Sequence, residues 1–204
     1  MRRRRVSWLL KWLSGLLKQR RVVIYGPPGS CRTRIALAAS KRLGRVVYLA
    51  TGRHARLREL PSNVELMAAT SFYDELLNVI RVLGRASSGE ELSLVLDEFF
   101  ANLVPCRAFM NESSIMRMAL SEVYLLDAVG EMGGKLLLVC AEDPRTGGPL
   151  GFRYVRILKP VLLRVRVEGD SLIVEERDPA DPSITLMRSE MLLDELLGVG
   201  SEES

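Results

Sequence analysis

The chain has 204 residues with a net charge of +4, a length that suits one α/β domain with a buried core and leaves little room for a second full domain. Cys31, Cys106 and Cys140 lie far apart and His54 is the single histidine, which excludes a disulfide framework or a zinc site and leads to the expectation of a cytoplasmic protein with reduced thiols. Basic residues crowd into 1–58 whereas 190–204 is acidic, so an anionic partner is expected near the N-terminal half.

Residues 1–20 read as a basic amphipathic helix. Trp8, Leu9, Trp12, Leu13, Leu16 and Leu17 recur at helical spacing and leave a basic opposite side. Lys11 and Lys18 interrupt the apolar run, no small-residue cleavage site follows, and the segment is too short and too charged to span a bilayer, so neither a signal sequence nor a transmembrane segment is expected. The plainest reading is a helix packed on the domain's own sheet. A partner groove, DNA backbone or a membrane surface are the alternatives, membrane contact being the least favoured.

Residues 22–33, VVIYGPPGSCRT, form a β-type apolar run that turns at Gly-Pro-Pro-Gly and enters the alanine-rich helical stretch RIALAASKRL. The loop Gly26, Pro27, Pro28, Gly29, Ser30, Cys31, Arg32, Thr33 is a phosphate-binding signature G-x-x-x-x-G-K-[ST] with two altered letters: Cys31 in place of glycine and Arg32 in place of lysine. The physical roles define what those changes touch. Loop and helix N–H groups form an anion nest, the lysine adds a compact charge near the β/γ-phosphates, and the threonine hydroxyl holds Mg²⁺. Cys31 brings a side chain to where backbone approaches phosphate, so a narrowed cradle or an altered loop is expected. Arg32 keeps the charge but spreads it over a planar fork. Nucleotide binding with poor hydrolysis is the expectation; a degenerate loop that merely supports a strand-to-helix turn is the alternative.

Further along, β-type runs at Val46–Leu49, Leu92–Leu96 and Leu136–Cys140 alternate with helical patterns at Thr33–Leu43, Tyr73–Leu83 and Ser114–Met132. The alternation predicts an α/β fold with a mostly parallel central sheet flanked by helices and ligands at the strands' carboxyl ends. Residues 85–89 read as a short surface loop. From Tyr154 onward apolar and charged residues alternate around Glu168-Gly169-Asp170, which predicts an antiparallel C-terminal extension. The divisions are therefore 1–20 for the helix, 21–190 for the core and 191–204 for an acidic helix or tail.

SLVLDEFF places Asp97 at a strand's carboxyl end, where it can hold the Mg²⁺ water shell opposite Thr33. Glu98 follows directly and is either a base that polarises water or a surface carboxylate.

With these segments in order, the chain resembles the RecA/RadA recombinase superfamily, in particular its short RadB-like archaeal paralogues that consist of the ATPase core alone with a degenerate phosphate loop. The similarity runs from Trp8 to Glu190. Tyr48-Leu49-Ala50-Thr51-Gly52-Arg53 matches a strand ending in a Tyr-Ile-Asp-Thr-Glu-Gly type sequence, so the family's catalytic glutamate falls on Gly52. LSLVLDEFFANLV matches the strand with the second Mg²⁺ carboxylate, SSIMRMALSEVYLLDAVGEMG the long helix after it, and Cys140-Ala141-Glu142 a strand normally ending in Thr-Asn-Gln. EERDPADPSITLMRSE resembles the last core strands. The resemblance implies a RecA-like P-loop NTPase core with ATP and Mg²⁺ as cofactors. Glu142 replaces the polar sensor, and a carboxylate beside phosphate is repulsive.

The family's two DNA loops correspond to Pro105–Glu112, carrying Arg107, and Asp143–Arg156, carrying Arg145, Arg153 and Arg156. Arginines on such loops suit phosphate contacts that read no sequence. The resemblance thus implies a recombinase paralogue that assists homologous recombination and DNA repair, binds single-stranded DNA and the main RecA/RadA-type recombinase, and is at most a weak ATPase. Two other readings stand beside it: an active DNA-dependent ATPase of recombinase or AAA+ type using Arg32 and Glu98, and a non-enzymatic module that docks a partner through the N-terminal helix.

Overall fold

The computed structural model describes residues 21–51 and 60–193, together with Gly15. The amphipathic segment 1–20 (Gly15 apart), the acidic tail from 194 onward, and Gly52, Arg53 and His54 lie outside the described residues. Among the described residues from Arg21 onward, eight strands and four α-helices follow in chain order: β1 Arg21–Gly26, α1 Arg32–Ser40, β2 Arg45–Thr51, β3 Val64–Ala69, α2 Phe72–Ser87, β4 Leu92–Phe99, α3 Glu112–Glu131, β5 Lys135–Ala141, α4 Phe152–Val155, β6 Val161–Glu168, β7 Ser171–Arg177 and β8 Thr185–Leu192. They build one eight-stranded sheet in the order β3-β2-β4-β5-β1-β6-β7-β8.

Period-two alternation on strands covered on both faces explains the two core layers. Val23 and Tyr25 of β1 join Leu94, Leu96, Leu136 and Leu138 beneath α2 and α3, whereas Val22 and Ile24 join Ile35, Ala36 and Ala39 of α1 on the other face. The chain leaves β1 toward one edge through β2 and β3, then runs back through β4 and β5 to β6. Crossovers of opposite direction put their helices on opposite faces, so a crevice opens at the carboxyl ends of β1 and its neighbours. Helix starts are capped where the side chains allow: Ser71 Oγ accepts from the Asp74 N–H at 3.1 Å, and Asn111 Oδ1 from the Ser114 N–H at 2.8 Å.

Four expectations change. β3, VELMAA, is a parallel edge strand on β2 that the alternation of long apolar runs did not mark. The supposed loop at 85–89 is largely helix: α2 runs to Ser87, Arg85 forks onto Glu90 at 2.8 and 2.9 Å, and Gly89 at φ +89° ends the turn. The stretch from Tyr154 begins as helical turns, and β6 pairs parallel to β1; antiparallel pairing starts only at the β6–β7 hairpin. Finally, β8 carries the core two residues beyond 190, to Leu192.

Candidate functional site

β1 ends at Gly26, where a Cβ would lie 1.9 Å from the Val165 carbonyl oxygen, so glycine is required. Pro27 and Pro28 supply no N–H, which confines any anion nest to Gly29–Thr33. Within that stretch the Ser30 N–H is directed to the Pro27 carbonyl at 3.3 Å. Gly29 has φ +80°, and Cys31, which precedes α1, has φ 63° and ψ 20°. Cys31 therefore occupies the left-handed region that its missing glycine would adopt freely, and the loop keeps that conformation at a cost of about 1–3 kcal/mol. Its thiol leans on the Gly29 carbonyl at 3.9 Å and packs beside the α1 core layer. The altered letter thus stores strain rather than refolding the loop.

Thr33 and Asp97 meet as the spacing predicted. Thr33 Oγ1, in the first turn of α1, donates at 3.2 Å to Asp97 Oδ1, near the carboxyl end of β4. Two residues that sequence reasoning missed complete the setting: Tyr48 OH donates to Asp97 Oδ2 at 2.9 Å, and Thr51 Oγ1 donates to the Asp97 carbonyl at 2.8 Å. Burial, then the neighbouring Asp97 carboxylate, pushes the Tyr48 hydroxyl far above its ordinary value, so it remains a donor at every working pH. The signal for Tyr48 and Thr51 was slight, being two hydroxyls in the apolar run VVYLAT on the strand next to β4. A hydroxyl and a carboxylate are hard oxygen donors that fit Mg²⁺. Among the described residues no group of three or more acidic, histidine or cysteine side chains gathers as a metal cluster, so a Mg²⁺ here would depend on phosphate oxygens and water for its other ligands.

Arg32 is not aimed into open space. Its Nη1 donates to the Gly26 carbonyl at 2.8 Å and to the Cys140 carbonyl, and its Nη2 donates to Glu98 Oε1 at 3.0 Å. The side chain is 10 % exposed. A planar fork can serve three acceptors at once, which a lysine ammonium on a flexible stem would do less rigidly. Glu98 reaches this position because β4 carries an irregularity between Leu96 and Phe99, which leaves Glu98 at φ 61° and Phe100 at φ 74°. A phosphate entering the cradle must compete with these acceptors for Arg32.

Glu142 corrects the expected repulsion. Its N–H donates to the Gly26 carbonyl at 3.0 Å, while its carboxylate takes a bidentate fork from Arg164 at 2.9 and 2.7 Å. Arg164 also lies 3.9 Å from Glu175, which pairs with Arg166 and Arg177. The charge of Glu142 is therefore neutralised within the fold.

The two arginine-bearing loops leave the adjacent parallel strands β4 and β5 and converge on one cleft of about 700 Å³. Arg107, Arg145 and Arg153 line it, over a floor that includes Phe100, Leu150, Phe152 and Tyr154. Arg153 stacks 4.7 Å above the Tyr154 ring. Gly151, at φ +74°, lets Phe100 close the floor, since a Cβ there would lie 2.2 Å from the ring. Arg156 does not line the cleft; it begins a 3-10 turn toward β6. Asp143 and Asp181 also border the cleft and temper its positive charge.

No helix among the described residues is long and apolar enough to cross a membrane. No protein-family model matches this chain, and no curated protein matches it either.

Proposed function

We propose that the chain is a RecA-type recombinase paralogue that holds ATP–Mg²⁺ and single-stranded DNA without productive turnover, and so assists or regulates a main recombinase rather than replacing it. The observation that carries this reading is the Thr33–Asp97 pair, 3.2 Å apart and 64 residues apart in sequence, set at the end of a glycine-bearing loop. A hydroxyl opposite a buried carboxylate beside a helix N-terminus is the arrangement that Mg²⁺-phosphate requires. Slow turnover follows from Arg32 and Glu98: the cation of the loop and the carboxylate that would act as base pair with each other at 3.0 Å. The convergence of Arg107, Arg145 and Arg153 on one cleft supports backbone contact with a single strand.

Nucleotide binding and turnover measured on one preparation test the reading. ATP binding that requires Mg²⁺ and is lost in Thr33→Ala, with turnover far below about 1 s⁻¹, is the expected result. Absence of any nucleotide binding would leave the loop a purely structural turn.

A second reading, an active ATPase, is favoured by one observation. Glu98 is held in the left-handed region beside the loop, and backbone strain of this kind concentrates at functional sites. Turnover at or above about 1 s⁻¹ that disappears in Glu98→Gln would establish it.

A further inference from the structure

β8 is the last strand of the sheet, and no described strand pairs with its outer side. It is eight residues long, and Leu186 and Leu192 are 57 % and 45 % exposed. Open edges are normally blunted by shortness, proline, bulges or inward charges, because they template pairing with another chain. This edge has one ladder irregularity, beside Leu186, and reads Leu186-Met187-Arg188-Ser189-Glu190-Met191-Leu192, a palindrome about Ser189 in which the two charges are opposite in sign.

The backbone fits the same symmetry. The Leu193 N–H donates to the Asp170 carbonyl at 2.7 Å, so from Met187 to Leu193 the odd-numbered positions turn their amide groups toward β7 and Arg188, Glu190 and Leu192 turn theirs outward. We propose that β8 pairs antiparallel with β8 of a second copy of this chain, about a two-fold axis at Ser189, joining two sheets into one. In that register Arg188 lies opposite the partner's Glu190, Glu190 opposite the partner's Arg188, and Leu186 opposite the partner's Leu192. Arg188, Glu190 and Leu192 are positions whose N–H and C=O groups point outward. A shift of two residues sets Arg188 against the partner's Arg188 or Glu190 against the partner's Glu190, and like charges directly opposite are unfavourable. A shift of one residue turns mismatched faces together. One register is therefore specified by charge and hydrogen bonding at once. The existing contact of Arg188 with Glu168, at 4.0 Å, is at the limit of an ion pair and does not hold the guanidinium back.

Sedimentation of the whole chain over a range of concentrations tests this pairing. A dimer is expected. Arg188→Glu and Glu190→Arg should each weaken it at least about tenfold, since each replaces two opposite-charge pairs with two like-charge pairs. The double reversal Arg188→Glu with Glu190→Arg should restore it, because the segment stays self-complementary. Ser189→Cys should give a disulfide-linked dimer under mild oxidation that the wild type, with Cys31, Cys106 and Cys140, does not form. A monomer at all concentrations, a dimer indifferent to the single reversals, or a double reversal that fails to recover a lost dimer overturns the pairing. Far-ultraviolet circular dichroism confirms that each variant is folded.

Discussion

Asp97 and Glu122 are equally buried carboxyls, each 0 % exposed, in opposite surroundings. Asp97 lies at the carboxyl end of β4, where Thr33 and Tyr48 donate to its two oxygens. Glu122 lies on α3 facing Glu75 of α2, and neither of its oxygens has a donor among the described residues. Glu75 at least accepts from Asn102 Nδ2 at 2.7 Å. Burial by itself therefore does not set the charge of a side chain; the supply of donors does. At Asp97 each oxygen has a donor. Glu122 is held well above the ordinary carboxylate range by burial first and by the Glu75 charge second, so the pair shares a proton that serves as the missing donor.

The contrast is broken most severely at Asp97. Asp97→Ala strands the buried Tyr48 hydroxyl and removes the acceptor of Thr33, so a loss of about 3 kcal/mol or more is expected in urea unfolding, together with loss of any Mg²⁺-dependent nucleotide binding. Glu122→Gln should move stability the other way. The folded chain keeps a proton that the unfolded chain releases above about pH 4.5, the ordinary glutamate value, so wild-type stability falls as pH rises from there through the folded value. Glutamine carries its own donor to Glu75 and does not titrate. Unfolding at pH 7 should therefore show a gain of about 1–3 kcal/mol, because the penalty of holding that proton against its release in the unfolded chain is removed, and a flatter stability profile above about pH 4.5. A destabilised variant, or an unchanged pH slope, would mean that Glu122 is ionised.

At the loop, Cys31→Gly with Arg32→Lys relieves the left-handed strain and frees the cation from the Gly26 and Cys140 carbonyls. ATP affinity measured by calorimetry should rise about tenfold, or about 1.4 kcal/mol; no gain would mean that the cradle is not a phosphate site. The smallest expected effect on stability is in the arginine cleft. Arg145→Ala with Arg153→Ala should lower the salt slope of single-stranded DNA binding by between one and two units, at about 0.7 per phosphate contact, with stability changed by less than about 0.5 kcal/mol. Unchanged DNA affinity in this variant, with binding lost on removal of Met1–Arg5, would move the DNA contact to the basic N-terminal arm.

Some of what the structure holds was written in patterns that only needed the right period. Phe72, Glu75, Val79, Val82 and Ala86 fall on one stripe of α2, and Ile115, Ala119, Glu122, Leu126 and Val129 on one stripe of α3. In each, a glutamate sits at a core position of an otherwise apolar three-four repeat, which marks a buried acid before any coordinates exist. The meeting of Thr33 and Asp97 was legible for a similar reason: loop chemistry and a carboxylate ending an apolar strand are both local signals. β3 was not, because VELMAA is short and half-exposed at an edge and carries no clean alternation.

The amino-acid sequence alone determined the layered α/β plan, the position of the glycine-bearing loop, the Thr33–Asp97 pair and the self-complementary segment at residues 186–192, since each rests on periodicity or spacing along the chain. Tertiary structure decided where the charges went. Arg32 could have faced a ligand, yet the carboxyl ends of β1 and β5 offer it two carbonyls and the irregularity in β4 brings it Glu98. Glu142 could have repelled phosphate, yet β6, lying beside β1, supplies Arg164. The partners of these two side chains come from strands distant in sequence, and the strand order makes them neighbours.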